Sequence, residues 1–191
     1  CDAVSKDIFH NHVKIYQDAW KKNFEAILIL EDDVVFPHWN ENKWERLQHE
    51  LIQRRKHWDI CYLGYCQWPI LLSTIVSTNV VKLTTPLTTH AYLISRTGIE
   101  KFLYNLKVNP KQNEKYHIDK ALQKTPHMKL YGAFPMMAFQ KSDPALYTKA
   151  MDKMNVSMSF QTFCKVNEWV SVSIPIACLL YTSPSPRDRI R

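Results

Sequence analysis

The chain has 191 residues, 46% of them hydrophobic, and its 25 basic and 18 acidic side chains give a net charge of +7. That length suits one domain with a sizeable core, and that apolar fraction excludes a disordered chain. The basic residues are scattered, with short clusters such as Arg54-Arg55-Lys56 rather than the stripe and aromatic platforms of a nucleic-acid binder, and no apolar run approaches the ~20 residues that cross a bilayer.

In chain order, residues 5–22 read as a helix, with Ile8, His12, Ile15 and Ala19 on one stripe at spacings of three and four. His10 and His12 lie two apart, on different faces of that helix, which is poor geometry for one metal. Residues 26–30 (AILIL) form a continuous apolar run, the pattern of a strand buried on both faces in a parallel sheet. Trp44, Leu47 and Leu51 mark a second helix, with Lys43, Glu45, Arg46 and Arg54 facing water. The stretch WDICYLG (58–64) reads as a strand ending at Gly64, and residues 78–83 fall in a Ser/Thr-rich connection. HAYLIS (90–95) is a further strand and RTGIEKFLYNL (96–106) the helix after it. A loop over 109–115, a short helix over 117–124 and a strand over 128–134 complete the pattern. Strands alternating with helices predict an α/β domain.

Beyond this the chain changes character. The apolar stretch 169–181 is short and broken by Pro175, and residues 181–191 are polar, proline-containing and aperiodic. We expect a domain over 1–145, an extension of unassigned role over 146–175, and a non-native adapter-derived tail over 176–191. The chain opens Cys1-Asp2, without an initiator Met or a signal peptide, and so reads as a fragment or a processed piece.

Five cysteines without a C-x-x-C spacing argue against a zinc ribbon or a redox motif. Three isolated glycines (Gly64, Gly98, Gly132) cannot build a P-loop or a G-x-G-x-x-G turn, which need clustered glycines to bring backbone N–H groups onto phosphate. A protein of this composition that handles phosphate needs a cation for much of the neutralisation.

The run Glu31-Asp32-Asp33 directly follows the first strand. In an open α/β sheet, ligands bind beyond the carboxyl ends of the strands. On an extended backbone Glu31 and Asp33 point to one side and Asp32 to the other. Such a pair can share one hard cation, Mg²⁺ or Mn²⁺, whose remaining positions accept a diphosphate. On spacing alone, a solvated acidic turn explains the three acids equally well.

ILEDDVVF (29–36) resembles the strand-plus-acids segment of glycosyltransferase family 25, which contains bacterial lipopolysaccharide glycosyltransferases and collagen hydroxylysine galactosyltransferases. Further segments are similar in the family's order: the helix and strand HVKIYQDAWKKNFEAILILEDDV, in which Asn11 replaces the serine of a Ser-His pair, then WDICYLG, THAYLISRTGIEKFL, HIDKAL and AFPMMAFQKSD. The similarity spans roughly residues 9–145.

The resemblance implies a GT-A-like, Rossmann-type open mixed sheet flanked by helices. It implies transfer of a hexose, galactose or glucose, from a UDP-sugar with inversion, to a glycan or glycoprotein acceptor such as hydroxylysine. Glu31, Asp32 and Asp33 correspond to the motif that holds Mn²⁺ (or Mg²⁺) and the donor diphosphate, with Asp33 and then Glu31 as metal ligands. Asp119, in HIDKAL, corresponds to a base for the acceptor hydroxyl; a helix-start acid favoured by the dipole reads the same. His117 either orients the donor or caps its turn, Gln140 and Ser142 either bind sugar hydroxyls or are ordinary loop residues, and His90 and Tyr92 either line the acceptor cleft or belong to the core. Members of the family begin with a hydrophobic-Asn-Leu-Asp strand upstream of the helix matched here. The resemblance therefore implies an N-terminally truncated domain, missing its first strand, with an uncovered sheet edge. A catalytically inactive relative acting in adhesion or protein interaction is the alternative. A two-metal phosphoesterase is a third reading, but it needs more His and Asp ligands than stand near Glu31.

Overall fold

The computed structural model describes residues 3–140 apart from 38, 55–56, 68–73 and 111–116. The described elements are α1 (Ala3–Lys21), β1 (Ala26–Leu30), β2 (Val34–Val35), α2 (Glu41–Gln53), β3 (Ile60–Tyr62), β4 (Thr74–Ile75), β5 (Val80–Lys82), β6 (Ala91–Ser95), α3 (Arg96–Val108), α4 (Ile118–Lys124), β7 (Leu130–Ala133) and β8 (Phe139–Gln140). The expected α/β class holds: an open mixed sheet in the order β1-β6-β3-β7-β5-β4 is flanked by helices, and β2 pairs with β8 beside it. Within the six-stranded sheet β3 and β7 run parallel and the other pairs are antiparallel. The carboxyl ends of β1, β3 and β7 and the start of β6 therefore share one edge.

Period-two alternation divides the buried strand residues between two cores. Ile29, Ile60, Tyr62, Val81, Tyr92, Ile94 and Leu130 point to the face covered by α1, α3 and α4. Cys61, Leu63, Val80, Ala91 and Ala133 point to the other face, beneath Leu47 and Leu51 of α2. Side-chain caps start two of the helices: Asn40 Oδ1 accepts from Lys43 N and Ser95 Oγ accepts from Gly98 N.

Three expectations are corrected. The buried stripe of α1 is Phe9, His12, Tyr16 and Ala19, whereas Ile8 and Ile15 are exposed. Aromatic side chains that meet Phe102 and Tyr92 win the inward face. The second concerns β1, which is an outermost strand antiparallel to β6, not a central parallel strand. Its Ile29 is buried, while Leu28 and Leu30 are 42% and 47% exposed, because they point away from α1 and lie outside the cluster under α2. The third is the Ser/Thr-rich connection, which contains β5, paired to β4 and β7. Ser77 Oγ accepts from the backbone N–H groups of Asn79 and Val80, so the hydroxyl shapes the hairpin turn. The predicted loop over 109–115 lies largely outside the described residues, as do the extension and the tail.

Asp59, 2% exposed, pins the edge of the sheet opposite the acidic run. Its Oδ2 accepts from Lys101 Nζ at 2.6 Å and Lys129 N at 2.7 Å, and its Oδ1 from Thr97 Oγ1 at 3.1 Å. One carboxylate thus joins the approach to β3, the first turns of α3 and the approach to β7. We predict that Asp59→Ala lowers unfolding free energy by about 3 kcal/mol, since it strands these donors. Urea unfolding measures this.

Candidate active site

Glu31 ends β1 with its N–H donating to His90 O at 2.9 Å, and Val34 N donates back to Glu31 O at 3.3 Å. The second bond closes a turn over residues 31–34. The extended alternation expected for the three acids is therefore corrected: a turn separates them. Glu31 is directed inward, Asp32 is exposed, and Asp33 is half-buried against β8.

The Glu31 carboxylate meets two partners. Thr89 Oγ1 donates to Oε1 at 2.8 Å, and His12 Nε2 lies 3.4 Å from the same oxygen. His12 is 4% exposed, and its Nδ1 is 2.7 Å from the Tyr92 hydroxyl, which also contacts the Tyr16 hydroxyl. Nε2 of His12 thus faces the Glu31 carboxylate and Nδ1 faces the Tyr92 hydroxyl, so a chain of polar side chains runs from Glu31 through His12 and Tyr92 to Tyr16. Burial pushes the Glu31 carboxyl up, but hydrogen bonds from His12 and Thr89, with the nearby His12 and His90, outweigh it and hold the carboxyl below its ordinary range.

Asp33 Oδ2 accepts from Gln140 Nε2 at 2.5 Å, across the β2–β8 pairing that sets Val34 opposite Gln140. Its Oδ1 is buried with no hydrogen-bond partner among the described residues. His90 sits beside both acids. Burial lowers its pKa, against the Ala138 carbonyl, Glu31 and Asp33, which raise it. Its Nε2 is 3.4 Å from Ala138 O. Gly64 makes this close approach possible: a Cβ there would fall 2.0 Å from Ala138 O and 2.3 Å from His90 Nε2.

Asp119 lies in the first turn of α4, half-buried, with Oδ1 accepting from Lys120 N at 2.6 Å. It is near Tyr62: burial, then Tyr16 and Asp119, push that phenol well above its usual range. The Tyr62 hydroxyl is buried without a partner among the described residues, and its ring is 5.8 Å from that of Tyr92. A buried tyrosine pair thus lies between the Glu31 side of the edge and the Asp119 side.

His117 stands at the N-cap of α4, exposed and without a side-chain capping bond, so the capping reading fails. Tyr92 is fully buried and His90 nearly so, which places both in the core rather than on a cleft wall. Ser142 lies outside the described residues. Sequence reasoning gave no role to His12, Thr89 or Tyr16. The available signal was the Phe9, His12, Tyr16 stripe, which places the imidazole on the buried face of α1.

Among the described residues no three His, Cys, Asp or Glu side chains gather as a metal cage. A cation that is also held by phosphate oxygens needs only one or two carboxylates. Asp33 Oδ1, buried and without a partner among the described residues, has the chemistry of such a ligand, whereas Glu31 Oε1 already serves His12 and Thr89. A surface depression of about 500 Å³ between α2 and the β4–β5 turn, lined by Arg46, Glu50, Arg54, Ser77 and Asn79 among others, borders none of these residues.

An α/β sheet with carboxylates gathered at one edge fits a protein that binds its ligand at the strand ends. The family model for glycosyltransferase family 25 (LPS biosynthesis protein) matches residues 8–122, and the chain belongs to that family. No curated protein matches the chain. The family implies a sugar donor and a glycan acceptor. No helix among the described residues is long and apolar enough to cross a membrane.

The direction of the Glu31 shift fixes a pH dependence. Its folded pKa lies below the unfolded value of about 4.3, so the carboxylate stabilises the fold above that pH and the contribution is lost as pH falls. We predict that Glu31→Gln is less stable than the parent chain at pH 7, and that the gap narrows as pH drops below about 4. Thermal unfolding of both chains across pH 3–7 measures it.

Proposed function

We propose that the protein is an inverting, GT-A-type glycosyltransferase that moves a hexose, galactose or glucose, from a UDP-sugar to a hydroxyl of a glycan or hydroxylysine acceptor. The observation that supports this reading best is Asp33 Oδ1, buried and without a hydrogen-bond partner among the described residues, at the strand-end edge where nucleotides bind in open α/β sheets. Asp33 is the first ligand we assign to Mn²⁺ or Mg²⁺. Glu31 would be the second, through the carboxylate oxygen that His12 and Thr89 leave, and Asp32, which is exposed, would face the donor. The ion supplies charge neutralisation for the departing diphosphate.

The chain's own groups do the rest. Gln140 fixes the Asp33 carboxylate by its 2.5 Å bond, so little reorganisation is needed when the donor arrives. Asp119 accepts the proton of the acceptor hydroxyl as that oxygen attacks the anomeric carbon, and the bond to UDP breaks on the opposite face. Lys120 N already orients one oxygen of that base. His117, exposed beside Asp119, contacts the donor, and Ser142 binds a sugar hydroxyl.

Calorimetric titration with UDP tests the metal assignment. Binding is expected with Mn²⁺ and not with chelator, and Asp33→Ala is expected to abolish it; unchanged affinity in that variant overturns the assignment. Asp119→Asn is expected to keep UDP binding and lower turnover by roughly 10²- to 10⁴-fold, as measured by UDP release with acceptor present.

A further inference from the structure

The segment between β2 and α2 carries an aromatic group that neither the fold nor the proposed chemistry explains. Trp39 is 46% exposed, and neighbouring Val35 is 38% exposed. Folding leaves much of the largest apolar side chain in water, where burial would have stabilised the protein. Yet the ring is firmly seated. It stands edge-on to Phe36, with centroids 5.5 Å apart, and tilted to Trp44 at 5.7 Å. Phe36 and Trp44 themselves pack against the cluster under α2. The next residue, Asn40, caps α2 through its bond to Lys43 N. An exposed ring on a rigid base is a prepaid binding surface, because little entropy remains to be lost on contact.

Its location is equally specific. Trp39 follows Asp33 by six residues, and Phe36, whose ring it meets, follows Asp33 by three, a span of at most ~11 Å of chain. The intervening strand β2 is fixed by its register with β8, and Gln140 of β8 holds Asp33. The aromatic group is thus built onto the same short ribbon that presents the metal-binding acid. The chemistry of the surface selects its occupant. A hexopyranose turns a face of C–H groups outward, and their slight positive charge suits the electron-rich face of an indole. A flat ring held on the ribbon that follows Asp33 matches that face, and matches a flexible lysine-like side chain far less well.

We propose that Trp39, backed by Phe36 and Trp44, is a stacking platform for a pyranose ring of the acceptor glycan. This deepens the transferase reading and rests on it for the identity of the acceptor.

Saturation-transfer NMR tests the platform, with methyl β-galactopyranoside, methyl β-glucopyranoside and a hydroxylysine-containing peptide as separate probes. The chain is irradiated in the presence of UDP and Mn²⁺. Protons on one face of a glycoside ring are expected to receive saturation, falling at least fivefold in Trp39→Ala and largely retained in Trp39→Phe. The circular dichroism spectrum of Trp39→Ala is expected to match the parent, since Trp39 belongs to neither core cluster, and its melting temperature is expected to fall by no more than a few degrees through the lost contacts with Phe36 and Trp44. Equal saturation of the sugars in Trp39→Ala, or saturation of the peptide with none of either glycoside, overturns the proposal. Failure of UDP to bind while the Trp39-dependent sugar signal persists leaves the platform standing and sinks the transferase reading; UDP binding with a Trp39-independent sugar signal does the reverse.

Discussion

The contact between His12 and Glu31 is the constraint on which the candidate site depends. Three consecutive carboxylates at the end of a strand repel one another, and moving one of them inward also costs hydration. The fold meets both costs with donors. His12 reaches Glu31 from α1 and Thr89 reaches it from the segment before β6. Glu31 is thereby drawn under the edge of the sheet, while the turn that follows delivers Asp33 to Gln140 on the other side. The acids are separated by being given different partners.

That arrangement explains why a histidine lies on the buried face of a helix that otherwise packs by aromatic contact. His12 stacks on Tyr92 with the rings 8° from parallel, the Tyr92 hydroxyl completes its hydrogen bonding, and the Tyr16 hydroxyl in turn meets that of Tyr92. Tyr62, the next ring along, brings the cluster to the vicinity of Asp119. The polar core is therefore not a defect in the apolar one. It is the part of the core that lies beneath the proposed transfer site, and burial of its phenols keeps them protonated.

Much of the fold was legible because local pattern and tertiary role agree. The helix over 41–53, the strands at 60–62 and 91–95, and the helix that follows directly from the latter are read correctly from hydrophobic pattern. The face of α1 was not. The Ile8 and Ile15 stripe and the Phe9 and Tyr16 stripe are rotated by one residue, and only the partners Phe102 and Tyr92, far along the chain, decide between them. The apolar run 26–30 announced a strand but not its place, since an edge strand with one covered face and a central strand can share a sequence. At the site, the acids were visible as a run. Their separation was not, because the bonds that produce it, Asp33 with Gln140 and Glu31 with Thr89, join residues 107 and 58 positions apart. Asp119 was legible through family resemblance alone; its own surroundings read as an ordinary helix start.

His12 and Glu31 must act as a pair if the acids are held apart in this way. A double-mutant cycle on unfolding free energy, with His12→Ala, Glu31→Gln and the combination, measures that directly. The structure predicts a coupling of about 1 kcal/mol or more at pH 7, with the double variant less destabilised than the sum of the singles. Additivity to within about 0.5 kcal/mol would show that the imidazole and the carboxylate are neighbours without being partners, and would contradict the account.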